Sequence, residues 1–202
     1  MAAPDGLVVA VLAAGRSQRF GAADKLSAEL AGKPLLHWAA DVGRSINAAQ
    51  HLLVTGPNFA AQDLPSGYGH LVNEAPSEGL ASSLRIAAAH SRNASALLIL
   101  LGDMPRVTAA HLQAILSLHI AHPDRAIFSS IPGGSPQPPA LFPATLLPVV
   151  EAMSGDSGAR ILATDALFVA ADADLLVDVD TPDDLAHCAA LLAAAVDPKA
   201  ES

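Results

Sequence analysis

The strongest constraint on this chain is the regular return of short, almost wholly apolar runs, at residues 7–12, 51–54, 97–101, 126–130 and 175–179, with weaker ones at 70–72 and 167–170. Several are apolar throughout, as strands covered on both faces of a parallel sheet should be. Longer stretches of helical period lie between them, at 35–45, 79–90, 108–119, 144–152, 158–164 and 182–195. Strand alternating with helix builds βαβ units. The expected fold class is therefore α/β, a three-layer α/β/α Rossmann-like arrangement around a mostly parallel sheet. The 131–143 stretch, rich in Pro and Gly, is expected to be a loop that edges a site. The length of 202 residues suits one domain, 1–202, with its core over 7–195.

Composition narrows the possible functions. Apolar residues make up 51%, charged ones 15% and aromatics 3%, which excludes intrinsic disorder and requires a core of Ala, Val, Leu and Ile. A net charge of −9 has the wrong sign for gripping nucleic acid or an anionic membrane surface. No apolar window approaches the roughly 20 residues that cross a bilayer. Asp5 precedes the first apolar run and the arginines follow it, inverting the charge order of a secretory signal. A cytoplasmic location is expected, and the lone Cys188, set in an apolar helical run, reads as a small buried hydrophobe. The eight histidines form no zinc pattern: His119 and His122 are close, but Pro123 follows and no thiol or acidic cluster completes a site.

The first apolar run opens directly into Leu12-Ala13-Ala14-Gly15-Arg16-Ser17-Gln18-Arg19-Phe20-Gly21, with Lys25 four residues on. Small residues at the carboxyl end of a parallel strand let backbone N–H groups approach a phosphate, and nearby cations neutralise it. Neither G-x-x-x-x-G-K-[ST] nor G-x-G-x-x-G occurs here. Residues 163–202 hold nine acids and one lysine, whereas residues 16–33 carry Arg16, Arg19, Lys25 and Lys33 against two acids. A cationic loop in an acidic chain reads as a polyphosphate cradle.

The pattern L-A-A-G-x-S-x-R-F-G-x-x-x-K-L resembles the signature loop of the nucleotidyltransferases with a glycosyltransferase-A-like fold, and is most similar to the molybdenum cofactor cytidylyltransferases among them. The resemblance extends over 7–195 and implies that the loop wraps a nucleoside triphosphate, with Arg16, Arg19 and Lys25 stabilising charge on the phosphates. Arg16, Lys25 and Asp103 become the candidate catalytic residues; Leu12, Ala13, Ala14, Gly15 and Ser17 would line the nucleotide.

Two acidic motifs fit the same reading. The 97–101 run ends in Gly102-Asp103-Met104-Pro105, placing an acid at the edge where open α/β sheets bind ligands. This G-D-M-P sequence matches the family's metal-binding motif. Val177-Asp178-Val179-Asp180-Thr181-Pro182 resembles its C-terminal motif, and strand alternation would put Asp178 and Asp180 on one face. Magnesium takes one or two carboxylates plus phosphates and water. Asp103 and Asp180 are the expected Mg2+ ligands, with Asp178 as the alternative; Asp183 and Asp184 suit helix capping.

The N-x-x-x-x-E-G-x-x-x-S-L segment that begins at Asn73 resembles one lying against the nucleotide in the family. Asn73 could read a base edge, with Gly79 and Ser83 beside it. The cytidine users of the family carry L-A-A-G where guanosine users carry L-A-G-G, so Ala14 points to CTP, although one methyl discriminates by only about 1–3 kcal/mol. Pro139, Leu141 and Phe142, with Asp156, Gly158 and Arg160, resemble segments that receive a molybdopterin-type acceptor. Arg160 could pair with its phosphate. The implied activity is transfer of CMP from CTP to that phosphate, with the product passing to a receiving molybdoenzyme. Alternatives are a guanylyltransferase, a cytidylyltransferase with an isoprenoid or sugar phosphate acceptor, a non-catalytic pterin carrier, or an NAD(P)-dependent oxidoreductase.

Overall fold

In a computed structural model, residues 4–15, 20, 25–153, 162 and 164–196 are described. Nine strands occur among them: β1 (Leu7–Ala13), β2 (Glu29–Leu30), β3 (Lys33–Pro34), β4 (Gln50–Thr55), β5 (Gly69–Val72), β6 (Ala96–Leu101), β7 (Ile127–Ser130), β8 (Gln137–Pro143) and β9 (Leu167–Ala170). Five helices accompany them: α1 (Leu35–Arg44), α2 (Leu80–Ala89), α3 (Ala109–Ala121), α4 (Leu147–Glu151) and α5 (Pro182–Val196). Seven strands form one sheet in the order β5-β4-β1-β6-β8-β7-β9, and β2 pairs with β3 as a small hairpin. The sheet is parallel except at β8, which runs antiparallel to both β6 and β7.

Strand alternation sorts the core onto two faces. Leu7, Val9, Val11 and Ala13 of β1 pack on one side with Leu98 and Leu100 of β6, α1 and α3. Val8, Ala10 and Leu12 pack on the other with Leu97 and Ile99, α2 and α4. A strand sandwiched in this way has no polar face, which explains its unbroken apolar sequence.

The sequence expectations differ from the structure in three places. Residues 137–143 form β8 rather than a loop. A Pro-rich strand is rarely central because Pro cannot donate to a ladder. Here Pro143 ends the β6 pairing, and Pro138–Pro139 coincide with a register shift beside Phe128 and Ser129. Residues 175–179 are not a strand: Ala173–Leu176 is a 3-10 turn and 177–180 follow it without regular structure. The β2/β3 hairpin was not anticipated, its turn being Ala31-Gly32 with φ of 48° and 84°. Both turn residues take the left-handed conformation that two-residue hairpins need, and Ala is an unusual choice there. The helix expected over 158–164 lies almost wholly outside the described residues.

Around the hairpin a third apolar cluster joins Leu30, Leu35, Val179 and Cys188, with Phe20 and Leu192 against it. Cys188 is fully buried, as its place in an apolar run requires. The start of α5 is fixed by reciprocal bonds: Thr181 Oγ1 accepts from Asp184 N at 3.2 Å, and Asp184 Oδ2 accepts from Thr181 N at 2.8 Å. This is the capping-box arrangement with Asp at the third position.

Candidate nucleotide and metal site

β1 and β6 run in register with Leu12 beside Leu101, so their carboxyl ends release two loops side by side. Gly102 N donates to Leu12 O at 2.9 Å, binding the loops at their roots. A Cβ on Gly102 would lie 3.0 Å from Leu36 Cδ1 and 3.1 Å from Ala13 Cβ, so a side chain here would have to push these neighbours aside for Asp103 to leave the sheet this close to β1. A third segment arrives from α5's side, where Val179 N donates to Asp103 O at 3.0 Å.

Lys25 lies in a 3-10 turn and its side chain is only 6% exposed. Its Nζ donates to Asp103 Oδ2 at 2.7 Å and to Asp180 Oδ1 at 2.9 Å. Burial alone would lower the pKa of Lys25, but attraction and hydrogen bonding from Asp103, then Asp180, outweigh it and hold the ammonium above its ordinary value. Asp178 completes the acidic group. Its residue surface is largely exposed, yet desolvation of the carboxyl, reinforced by the charge of Asp103 and a hydrogen bond to it, pushes Asp178 up to about 7. Three carboxyls and one ammonium thus share the edge of the sheet.

A recess of about 440 Å³ opens against this group, lined by Leu12, Ala14, Gly15, Gly79, Ser83 and Asp103. A second recess, also about 440 Å³, lies beyond the same loop against Asn58, Phe59 and Glu74. Ala14 and Gly15 border both, so the small-residue turn is a thin wall between two ligand-sized hollows.

The structure corrects the reading of Asn73. Its side chain is 99% buried and already fully engaged: Nδ2 donates to Ser82 Oγ at 2.7 Å and Ser83 Oγ at 3.0 Å, while Oδ1 accepts from Ala75 N at 2.9 Å. An amide with both ends committed has no edge to offer a base. Asn73 instead ties β5 to the first turn of α2. Gly79 begins that turn at φ +79°, the left-handed region where glycine alone is unstrained. Ser83 accepts from Asn73 and keeps its hydroxyl proton for a further partner.

Two acceptor expectations are corrected as well. Leu141 pairs with Leu98 and Ile127 and is fully buried in one core cluster, and Phe142 is buried in the other, edge-on to Phe128. Their alternation fills both faces of the sheet, so neither side chain faces a ligand. Pro139 is buried too, on β8 between β6 and β7, and its carbonyl accepts from Ser129 Oγ at 2.7 Å. Arg16, Ser17, Arg19, Asp156, Gly158 and Arg160 lie outside the described residues. Sequence reasoning missed Leu80, 44% exposed on the recess next to Gly79, and Pro76 and Ser77 beside it. Its one signal was a large apolar residue at the first helical position, directly after the Gly79 cap.

The donor set suits a divalent cation. Asp103 Oδ1 is buried with no hydrogen-bond partner, an orphan acceptor that a cation would satisfy. Among the described residues no three His, Cys, Asp or Glu converge closely enough to enclose an ion. A metal here would draw its remaining ligands from phosphate and water, as magnesium and manganese readily do.

Comparison with known proteins places this geometry. The MobA-like NTP transferase domain matches residues 9–170. The purine catabolism protein PucB of Bacillus subtilis is 29% identical over 207 residues, spanning 88% of this chain and 93% of that protein. The crystal structure of Rv0371c from Mycobacterium tuberculosis superposes with a TM-score of 0.77 at 27% identity, covering 91% of this chain and 98% of the other. Its complex with manganese gives 0.74 at 26% identity, covering 90% and 97%. With a small-residue turn after β1, an aspartate after β6 and a family match across most of the sheet, the chain belongs to the MobA-like NTP transferases and is a nucleotidyltransferase.

Proposed function

We propose that the protein transfers CMP from CTP to the terminal phosphate of a molybdopterin-type cofactor, in a reaction that requires Mg2+ or a similar divalent ion. The observation that carries this reading is the Lys25–Asp103–Asp180 cluster set against the recess of Ala14 and Gly15. The preference for CTP rests on the Leu12-Ala13-Ala14-Gly15 sequence, and the acceptor on the motif resemblance around Pro139.

An acceptor phosphate oxygen would attack the α-phosphorus in line; a new P–O bond forms as the bond to the β-phosphate breaks, and pyrophosphate leaves. The attacker is already an anion, so no general base is needed, and the protein's task is alignment and charge stabilisation. The backbone of Ala14 and Gly15 would border the triphosphate, with Arg16 and Arg19 as further cations. Ser83 Oγ–H would donate to the ribose or a phosphate. Lys25 holds Asp103 and Asp180 in place until phosphates arrive to share its charge. Asp103 and Asp180 would hold the metal, which supplies Lewis-acid stabilisation of the reacting phosphate.

A panel of CTP, GTP, UTP and ATP with purified molybdopterin cofactor tests this, reading pyrophosphate release and dinucleotide formation. Cofactor-dependent pyrophosphate from CTP alone is the expected result. Preferential turnover of GTP would move the protein to the guanylyl-transferring side of the family. Turnover of CTP only with an isoprenoid or sugar phosphate would replace the acceptor.

A further inference from the structure

A separate open recess of about 360 Å³ lies at the far side of the sheet edge, lined by His111, Pro132, Ala170, Ala171, Asp172 and Leu175. β7 and β9 run parallel to β6, so their carboxyl ends, at Ser130 and Ala170, lie on the same edge as Asp103. They stand two and three strands from β6, or roughly 10 and 14 Å at the usual strand spacing. The chain itself links the two places. Residues 170–175 wall the recess, Arg106 Nε anchors Asp174 O at 2.9 Å, and Asp178 to Asp180 follow at once in the acidic group.

The hydrogen bonds around His111 fix its chemistry. Pro139 O can only accept, so Ser129 Oγ spends its proton there, at 2.7 Å. Ser129 Oγ must then accept from His111 Nε2, also at 2.7 Å. In the neutral ring this leaves the proton on Nε2 and a bare lone pair on Nδ1. His111 is 93% buried yet lines the recess, and its side-chain hydrogen bond runs through Nε2, on the opposite side of the ring from the Nδ1 lone pair. Burial lowers its pKa from the ordinary value, which keeps the ring neutral at pH 7.

We propose that this recess is a second anchoring point for the acceptor, a subsite for a planar heterocycle that presents N–H donors to His111 Nδ1 and the Asp172 carboxylate. Pro132 and Leu175 supply the apolar walls such a ring needs. The proposal rests on the acceptor reading above and deepens it: the reacting phosphate lies by Asp103 and Asp180 while the donor-bearing ring reaches the β7–β9 end. The pyrimidinone half of a pterin, with its exocyclic amine beside a ring N–H, has this donor pattern.

The test titrates the protein, labelled with 15N at histidine, with 2-amino-4-oxopteridine, a pterin lacking phosphate. Binding is expected to move the His111 Nδ1 resonance from that of a bare nitrogen toward that of a hydrogen-bonded one. His111→Gln retains an N–H at the Nε2 position for Ser129 and removes the Nδ1 acceptor. It should weaken pterin binding at least tenfold and raise KM for the acceptor with little change in kcat. An unmoved Nδ1 resonance in the unsubstituted protein, or equal pterin affinity in His111→Gln, overturns the subsite whether or not the variant is stable. Pterin bound at His111 together with no CMP transfer to molybdopterin would support the subsite and refute the acceptor reaction.

Discussion

The two ends of the sheet are built on different rules. From β5 to β6 the strands are parallel, β1 and β6 are apolar on both faces, and the side chains that could do chemistry stand on the loops just beyond the strand ends. From β8 to β9 two of the strands have four residues, the third is reversed and carries three prolines, and the polar groups Ser129 and His111 are buried within the structure. The first end presents charge to a ligand on a rigid frame. The second sets an uncharged acceptor, whose tautomer is fixed by its neighbours, beside the Asp172 carboxylate. A chain that joins a polyanion to a second molecule gains from this division, because cations at both ends would compete for the triphosphate.

Substitutions at the charged end should have the largest effects. Asp103→Asn keeps the shape of the side chain but removes its charge and one of the two oxygens. Metal-dependent pyrophosphate release should fall about 100- to 1000-fold, the scale seen when one electrostatic stabiliser is removed. A rate within a few-fold of the unsubstituted protein would take Asp103 out of the metal site.

Lys25→Met is the next sharpest probe. It removes the ammonium that bonds Asp103 and Asp180 and leaves three neighbouring carboxyls without their cation. Turnover should drop about 100-fold, and unfolding free energy should fall by about 3 kcal/mol, as when one partner of a buried ion pair is lost. Manganese binding without nucleotide, followed by calorimetry, should strengthen, because the Lys25 ammonium bonds Asp103 Oδ2 and Asp180 Oδ1 and repels a divalent cation from the same pair of carboxylates. Weaker manganese binding would mean that Lys25 organises the ligands rather than competing for them.

The contrast between the ends also governed what could be read from the sequence. Motif resemblance singles out Lys25, Asp103 and Asp180, and the folded chain brings them within hydrogen-bond distance, Asp180 from an irregular segment rather than from the strand expected over 175–179. The motif places Asn73 against the nucleotide, but only the folded chain shows Ser82, Ser83 and Ala75 converging on its amide. Leu141 and Phe142 belonged to a strand hidden by its own prolines, tolerated because they fall at a register shift and at the end of pairing. The tautomer of His111 depends on Ser129 and Pro139, 18 and 28 positions away in sequence, and no motif encodes it.

Asn73→Ala separates positioning from base reading at the charged end. It strands Ser82, Ser83 and the Ala75 N–H, at a cost of about 2 kcal/mol, and loosens the turn that carries Gly79 and Ser83. KM for CTP should rise while the ratio of CTP to GTP turnover stays constant. A changed ratio would return Asn73 to contact with the base.

The smallest expected effect concerns the histidines of α3. Burial pushes His111 below its ordinary 6.5, and burial against a weaker pull from Asp124 does the same to His119. The native state therefore binds fewer protons than the unfolded chain at mildly acid pH. Their stabilising contribution is complete above pH 6.5 and is lost as pH falls from there toward the native values, each site adding a slope of at most about 1.4 kcal/mol per pH unit. His119 Nδ1 is also buried with no hydrogen-bond partner. His119→Leu removes that orphan atom along with one titrating group, whereas His111 keeps its bond to Ser129. Melting curves at pH 7.5 should then show a gain of about 1 kcal/mol, and the loss of stability between pH 6.5 and 5.5 should be shallower than in the unsubstituted protein. A His119→Leu variant that melts lower at pH 7.5 with an unaltered acid slope would show that His119 finds a partner in solution. The acid sensitivity of the helix would then belong to His111 alone, at the end of the sheet that we assign to the acceptor.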